Sequence, residues 1–87
     1  GKTYIVDVKE LPTASFDYSG QCLNLPVAFT DNSSGDGLAL TSWNWDFKDG
    51  NTSNLQNPQN TYFNAGNYAT ELIVKDANNC VNTAISD

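Results

Sequence analysis

The sequence predicts an all-β sandwich. Three observations carry that prediction. Short stretches alternate apolar and polar residues with a period of two. Turn-forming clusters separate them at intervals of roughly 8–12 residues. No stretch repeats its apolar residues every 3.6 positions over a helical length. The chain has 87 residues, which fits one domain with a small core. A domain of that size benefits from a covalent staple or from neighbouring domains.

Each expected strand has its own pattern. Residues 4–8, Tyr-Ile-Val-Asp-Val, are short and β-branched. Residues 13–18 alternate small or aromatic side chains with polar ones, and residues 26–30 do the same. Residues 42–47, 67–75 and 81–85 complete the set. The turns between them are rich in Gly, Asn, Asp and Ser, notably 19–20, 31–37, 49–51, 57–58, 65–67 and 78–79. In a strand, Trp43, Trp45 and Phe47 point to one face, and Asn44, Asp46 and Lys48 to the other. Tyr68, Leu72 and Val74 form a matching inward row with Thr70 as its polar member. Val27 with Phe29, and Ala14 with Phe16, form two more. Such rows close a core between two sheets, so both tryptophans read as packing rather than as a ligand platform.

Charge narrows the function. The net charge is −6, with four lysines, no arginine and no histidine. The chain cannot build the basic face that displaces phosphate counterions, so nucleic acid is excluded as a partner, and anionic lipid is disfavoured with it. No run of ~18 apolar residues suggests membrane insertion. Without histidine, a Ser-His-Asp or Cys-His constellation cannot form, and the commonest zinc ligand is missing. A carboxylate pair such as Asp46 and Asp49 could in principle do acid–base work. A small sandwich offers them no deep cleft, so the chain reads as non-catalytic. The abundance of Asn and Thr with few cations suits an extracellular surface.

The segment from Ser42 to Cys80, SWNWDFKDGNTSNLQNPQNTYFNAGNYATELIVKDANNC, resembles the PKD (polycystic-kidney-disease) domain family. The residues that carry the resemblance are Trp43, Trp45, Asp46, Phe47, Asp49, Gly50, Ser53, Asn57, Pro58, Tyr62, Ala65, Gly66, Tyr68, Leu72 and Val74. The stretches PVAFTDNSS and PTASFDYS resemble the family's second and first strands, so the likeness spans about residues 12–87. Two positions depart from the pattern. Lys48 stands where the family has the first glycine of its GDG turn, and Asn60 where it often has histidine. The resemblance implies an immunoglobulin-like Greek-key sandwich of about seven strands in two antiparallel sheets. It also implies a secreted or cell-surface module between other domains, serving as spacer and interaction surface for neighbouring domains, protein or glycan. A carbohydrate-binding module is the alternative. It gains if Tyr18, Tyr62 or Phe63 form a flat exposed row, and loses if they are buried or scattered.

The turn residues have structural readings. Asp49-Gly50 suits a tight turn needing a flexible backbone. Asn57 is expected to bond its own chain two residues on, ahead of the fixed φ of Pro58. Gly66 is expected in a conformation closed to other residues. Tyr68 is expected to anchor its hydroxyl to nearby backbone, as at an immunoglobulin corner. Residues 1–10 read as an extension or linker from a preceding domain, pairing as a strand or extending from the edge of a domain at 11–87.

Two further expectations concern covalent and metal staples. An even cysteine count in a small β-domain of extracellular character favours a Cys22–Cys80 disulfide, worth about 4 kcal/mol in the loop-entropy model. The two positions fall at opposite poles of a simple sandwich unless residues 22–26 run back along the sheet. No cofactor is required, but calcium is a candidate. Asn44 and Asp46 share an outward face, and Asp76 ends the strand expected beside them. Oxygen ligands from adjacent strands suit calcium, and the positions resemble those at which some PKD domains bind it. The 31–37 loop is a weaker candidate, lacking the EF-hand spacing.

Overall fold

Alternation makes strands wherever one face can be buried. The computed structural model describes residues 2–86. Gly1, in the expected extension, and Asp87, at the expected end of the domain, lie outside the described residues. Among the described residues seven strands form: β1 (Phe16–Ser19), β2 (Pro26–Asp31), β3 (Leu40–Asp46), β4 (Thr52–Ser53), β5 (Gln59–Thr61), β6 (Glu71–Asp76) and β7 (Val81–Ile85). One sheet has the order β1-β2-β5 and the other β4-β3-β6-β7, all antiparallel. The chain enters the first sheet, crosses to the second for β3 and β4, returns for β5 and ends in the second. This is an immunoglobulin-like Greek-key sandwich.

Register places the inward rows against each other. Trp43 opposes Val74 and Trp45 opposes Leu72 across β3 and β6. Val27, Phe29, Trp45, Phe47, Leu72 and Val74 form the buried core, with Ala14, Phe16, Leu40, Trp43 and Tyr62 packed around it. Each fully buried side chain of this kind contributes about 1.5–3 kcal/mol. Phe16 meets Trp45 edge-on at 5.0 Å, and Phe29 lies 5.1 Å from Phe47, spacings at which aromatic pairs attract beyond their area. The tryptophan indoles are satisfied at the rim. Trp43 Nε1 donates to Asp31 Oδ2 at 2.9 Å, tying β3 to β2, and Trp45 Nε1 donates to the Leu55 carbonyl at 2.9 Å.

The poles of the sandwich are distinct. Pro12 and Thr13 enter at one: Thr13 bridges Ser34, and the Pro12 carbonyl accepts a bond from Asn82 Nδ2 near the start of β7. Ser86 leaves at the other, its N–H donating to the Thr70 carbonyl ahead of β6. Residues 2–11 form no strand and are exposed, with Tyr4, Ile5, Val6 and Val8 all above 80%. The strand expected at 4–8 is therefore absent. Its β-branched residues favour extended backbone, but among the described residues no strand pairs with it. The molecule measures 65 × 20 × 19 Å. About 33 Å of that length is what ten extended residues supply, so the segment runs outward from the entry pole.

The expected disulfide is corrected. Cys22 is exposed and Cys80 half-buried, and both are free thiols. Cys22 lies at the exit pole beside Thr70 and Ser86. Cys80 lies at the entry pole, its N–H donating to Asp76 Oδ1. Between those poles runs the length of β6, about 20 Å at strand rise, where a bridge needs Cα atoms within ~7 Å. Residues 22–26 turn directly into β2 and do not run back along the sheet.

Candidate functional site

The turn after β3 is built by its own polar side chains. Asp46 Oδ1 accepts from the Lys48 N–H at 2.9 Å, and Asp49 Oδ1 from the Asn51 N–H at 3.0 Å. The Phe47 N–H closes the loop on the Asn51 carbonyl. Lys48 has φ +64° and Gly50 φ +95°. Lysine thus occupies the left-handed region that glycine takes without penalty. Asn60, at 9% exposure, faces inward and donates through Nδ2 to Asp49 Oδ2 at 2.9 Å. An amide can make that bond in place of an imidazole.

Lys48 also sets the local electrostatics. Asp46 and Glu71 oppose each other across β3 and β6. The Lys48 ammonium lies 3.4 Å from Asp46 Oδ2 and 3.2 Å from Glu71 Oε2. The backbone bond from Lys48 and then its charge hold the Asp46 carboxyl below the ordinary range, and the bond to Glu71 with the charge of Asp46 raises the Lys48 ammonium. The cation between these two carboxylates is supplied by the chain itself. Asp46 and Asp49 each accept a backbone N–H of the turn.

Asn44, Asp46 and Asp76 are not brought together. Asn44 pairs with Ile73 and Asp46 with Glu71, while Asp76 is opposite Leu40 at the far end of β6, about 17 Å along the strand from Glu71. Asp76 also points inward, at 1% exposure. Its Oδ1 accepts from the N–H groups of Asn78 and Cys80 at 2.8 and 3.0 Å, capping the β6–β7 turn. In the 31–37 loop, Asp31 is likewise engaged, accepting from Trp43, Gln56 and the Ser33 N–H. Among the described residues, no three Asp, Glu or Cys side chains gather as a metal site.

The remaining motif residues anchor the fold. Asn57 Oδ1 accepts from the Asp31 N–H at 2.8 Å, so it bonds across to β2 rather than to the backbone two residues on. Pro58 is buried and its carbonyl accepts from the Phe29 N–H. Tyr68 donates to the Asn64 carbonyl at 2.6 Å, the expected corner. Gly66 has no positive φ, and a Cβ there would meet only the Tyr68 ring at 3.9–4.0 Å. Its expected special conformation is absent.

Sequence reasoning missed a cleft at the exit pole. It is an open depression of about 460 Å³ between the β1–β2 loop and the segment leading into β6. Tyr62 and Tyr68 stack on one side, centroids 4.3 Å apart at 27°. Tyr18 stands at the end of β1, 6.2 Å from Phe29, which with Val27 lies at the base. The Tyr62 hydroxyl is 3.2 Å from the Phe47 carbonyl and 3.0 Å from Thr70 Oγ1. Burial raises the phenol above its usual range, against the opposing pull of Thr70. Tyr18, Tyr62 and Phe63 make no flat row, since Tyr62 is half-buried in the stack and Phe63, 70% exposed, is not part of the cleft. The signal was spread over two loops, two strands and the segment after β7, and only the tyrosines stood out.

Comparison with known proteins places this architecture. The chain is similar to the PKD1 domain of Vibrio anguillarum Epp, at 30% identity and TM-score 0.81 over 88% of this chain and 89% of that one. It is similar to the PKD1 domain of the Vibrio cholerae metalloprotease PrtV, at 30% identity and TM-score 0.80 over 88% and 93%. A structure described as carbohydrate-binding modules from the β-sandwich superfamily, of promiscuous specificity, matches at 25% identity and TM-score 0.85, covering 92% of this chain but 34% of the other. The PKD domain family itself matches residues 9–87. With its WDF strand, Asp49-Gly50 turn and Tyr68 corner inside that span, the chain belongs to the PKD domain family.

Proposed function

We propose that this chain is a non-catalytic module of a larger extracellular protein, setting the spacing between neighbouring domains and offering them or an outside partner an interaction surface. The observation that carries this reading is the exit of the two chain ends from opposite poles of the sandwich. A module so built separates what is attached to its ends. The carboxylates of the central motif support the same reading, because the turn, the Lys48 pair and the β6–β7 cap consume them. Similarity to a domain of a metalloprotease fits a place beside other domains, and relatives of this kind support an extracellular setting.

The test is a distance measurement. Dyes are placed at Lys2→Cys and Ser86→Cys after Cys22 and Cys80 are replaced by serine. Energy transfer should report a mean separation near the 65 Å long axis. A short separation, with both ends at one pole, overturns the spacer reading. Hydrolysis of peptide or glycan substrates by the isolated chain, lost on substitution of Asp46 or Asp49, overturns the non-catalytic one.

A further inference from the structure

We infer that the exit-pole cleft binds a short, soluble, neutral oligosaccharide. The inference rests on the interaction-module reading and names the ligand class of that surface. Three features of the cleft carry it.

The first is shape. A depression of about 460 Å³ falls within the ~300–1,000 Å³ of ligand pockets, and it is open along its length between two loops. It suits a segment of a chain molecule rather than a flat crystalline face.

The second is the walls. The Tyr62–Tyr68 stack faces the cleft from one side, and Tyr18, 44% exposed, stands on β1. The hydroxyls of Tyr62 and Tyr68 are turned to their own chain, to Phe47 and to Asn64. That fixes the rings and leaves for a ligand the carbon surface that the stack does not cover. A sugar ring presents C–H groups on its faces and hydroxyls on its edge, so aromatic carbon and amide or hydroxyl groups must occur side by side to hold it. Here they do: the exposed amides of Gln21, Asn64 and Asn67 rim the cleft, with Ser86 beside them. Gly66 keeps the approach to the Tyr68 ring open, since no side chain projects there.

The third is charge. In a chain carrying fourteen ionisable Asp, Glu and Lys residues, none of the described residues lining the cleft is one of them. A charged ligand would leave water for a site with no counter-charge. A neutral polyhydroxylated ligand exchanges its water for amides and hydroxyls of matching character.

The experiment is a titration followed by backbone amide NMR. The ¹⁵N-labelled chain is titrated separately with neutral pentasaccharides of glucan, xylan and chitin type, with an oligouronate, and with a proline-rich peptide. At least one neutral sugar should give saturable shifts confined to residues 20–23 and 62–70, at concentrations up to roughly 10 mM, the weak end of specific binding. Tyr18→Ala, which truncates an exposed ring, should weaken that affinity about fivefold to tenfold. Asn67→Ala provides a second variant that alters the rim without touching the aromatic stack, and it should weaken the affinity as well. Both should keep the wild-type spectrum elsewhere. The inference is overturned by any of four results: no shifts with any neutral sugar, shifts lying elsewhere on the molecule, equal response to the oligouronate, or response to the peptide alone. Retention on insoluble cellulose or chitin without shifts at the cleft also overturns it. None of these outcomes alters the end-to-end distance, so this inference and the spacer reading fail separately.

Discussion

Replacing Asp76 with alanine tests whether this carboxylate caps a turn or serves a metal. The side chain is buried and accepts two backbone N–H groups, from Asn78 at 2.8 Å and Cys80 at 3.0 Å. Asn78 is exposed, so its N–H can turn to water, and the loss there is about 1 kcal/mol. Cys80 is half-buried, and its N–H loses its partner at a cost of about 1–3 kcal/mol. The expected loss is therefore about 2–4 kcal/mol, against a total of about 4–13 kcal/mol for a domain of this length. Asp76→Asn keeps an acceptor oxygen and should lose less than half as much. Urea unfolding followed by tryptophan fluorescence reads the change, because Trp45 is 1% exposed and reports the core. The loss should be the same in millimolar calcium and in excess chelator. A change under about 0.5 kcal/mol, the usual range of a surface substitution, would refute the capping argument. So would a loss that disappears when calcium is removed.

Four other outcomes are expected. Gly66→Ala should leave stability unchanged or raise it by about 0.4–1 kcal/mol, because its φ is not positive and the added methyl meets Tyr68 at ordinary contact; thermal unfolding reads the change. Deleting residues 1–10 should shift the unfolding midpoint by no more than about 0.5 kcal/mol while the transition stays cooperative, as differential scanning calorimetry can show. Mass spectrometry after alkylation without reductant should find both Cys22 and Cys80 labelled, and a doubly unlabelled product would contradict their placement at opposite poles. The depressed Asp46 carboxyl contributes stability that is complete above its unfolded value of about 3.9 and is lost as pH falls through its lower folded value. Asp46→Asn should therefore flatten the acid limb of a stability-against-pH curve, and an unaltered limb would contradict the Lys48 contacts.

The strands with an apolar inward row were legible because burial imposes period two. Strand β7 lies where expected, and β2, β3 and β6 differ from expectation only at their ends. Strands β4 and β5 were not legible. Thr52–Ser53 and Gln59–Thr61 are too short and polar to show alternation, and the inward residue of β5 is Asn60, held by a bond to Asp49 rather than by apolar packing. Asp76 misled for a related reason. The inward row Thr70, Leu72, Val74 continues into it, but a carboxylate at a strand end reads as solvent-facing. Residues 4–8 misled in the opposite sense, having the pattern of a strand without a partner. Among site residues, the turn and corner of the WDF motif were legible because each bond is local in sequence. Asn57's bond to Asp31 spans 26 positions, and the cleft joins two loops distant in sequence, which no local pattern reveals.

The opposite exits of the two ends determine how the molecule bears load. Strand β1 runs from the entry pole and is bonded to β2, and β7 runs to the exit pole and is bonded to β6. Tension applied between the ends pulls β1 and β7 along their own axes in opposing directions. Their ladder bonds are perpendicular to that pull, so they are sheared together instead of being peeled apart one at a time. The Trp43–Asp31 bond and the aromatic core then transmit the force from one sheet to the other. The same opposite exits on which the proposed spacer role rests thus also set the sandwich to resist tension applied between Pro12 and Ser86.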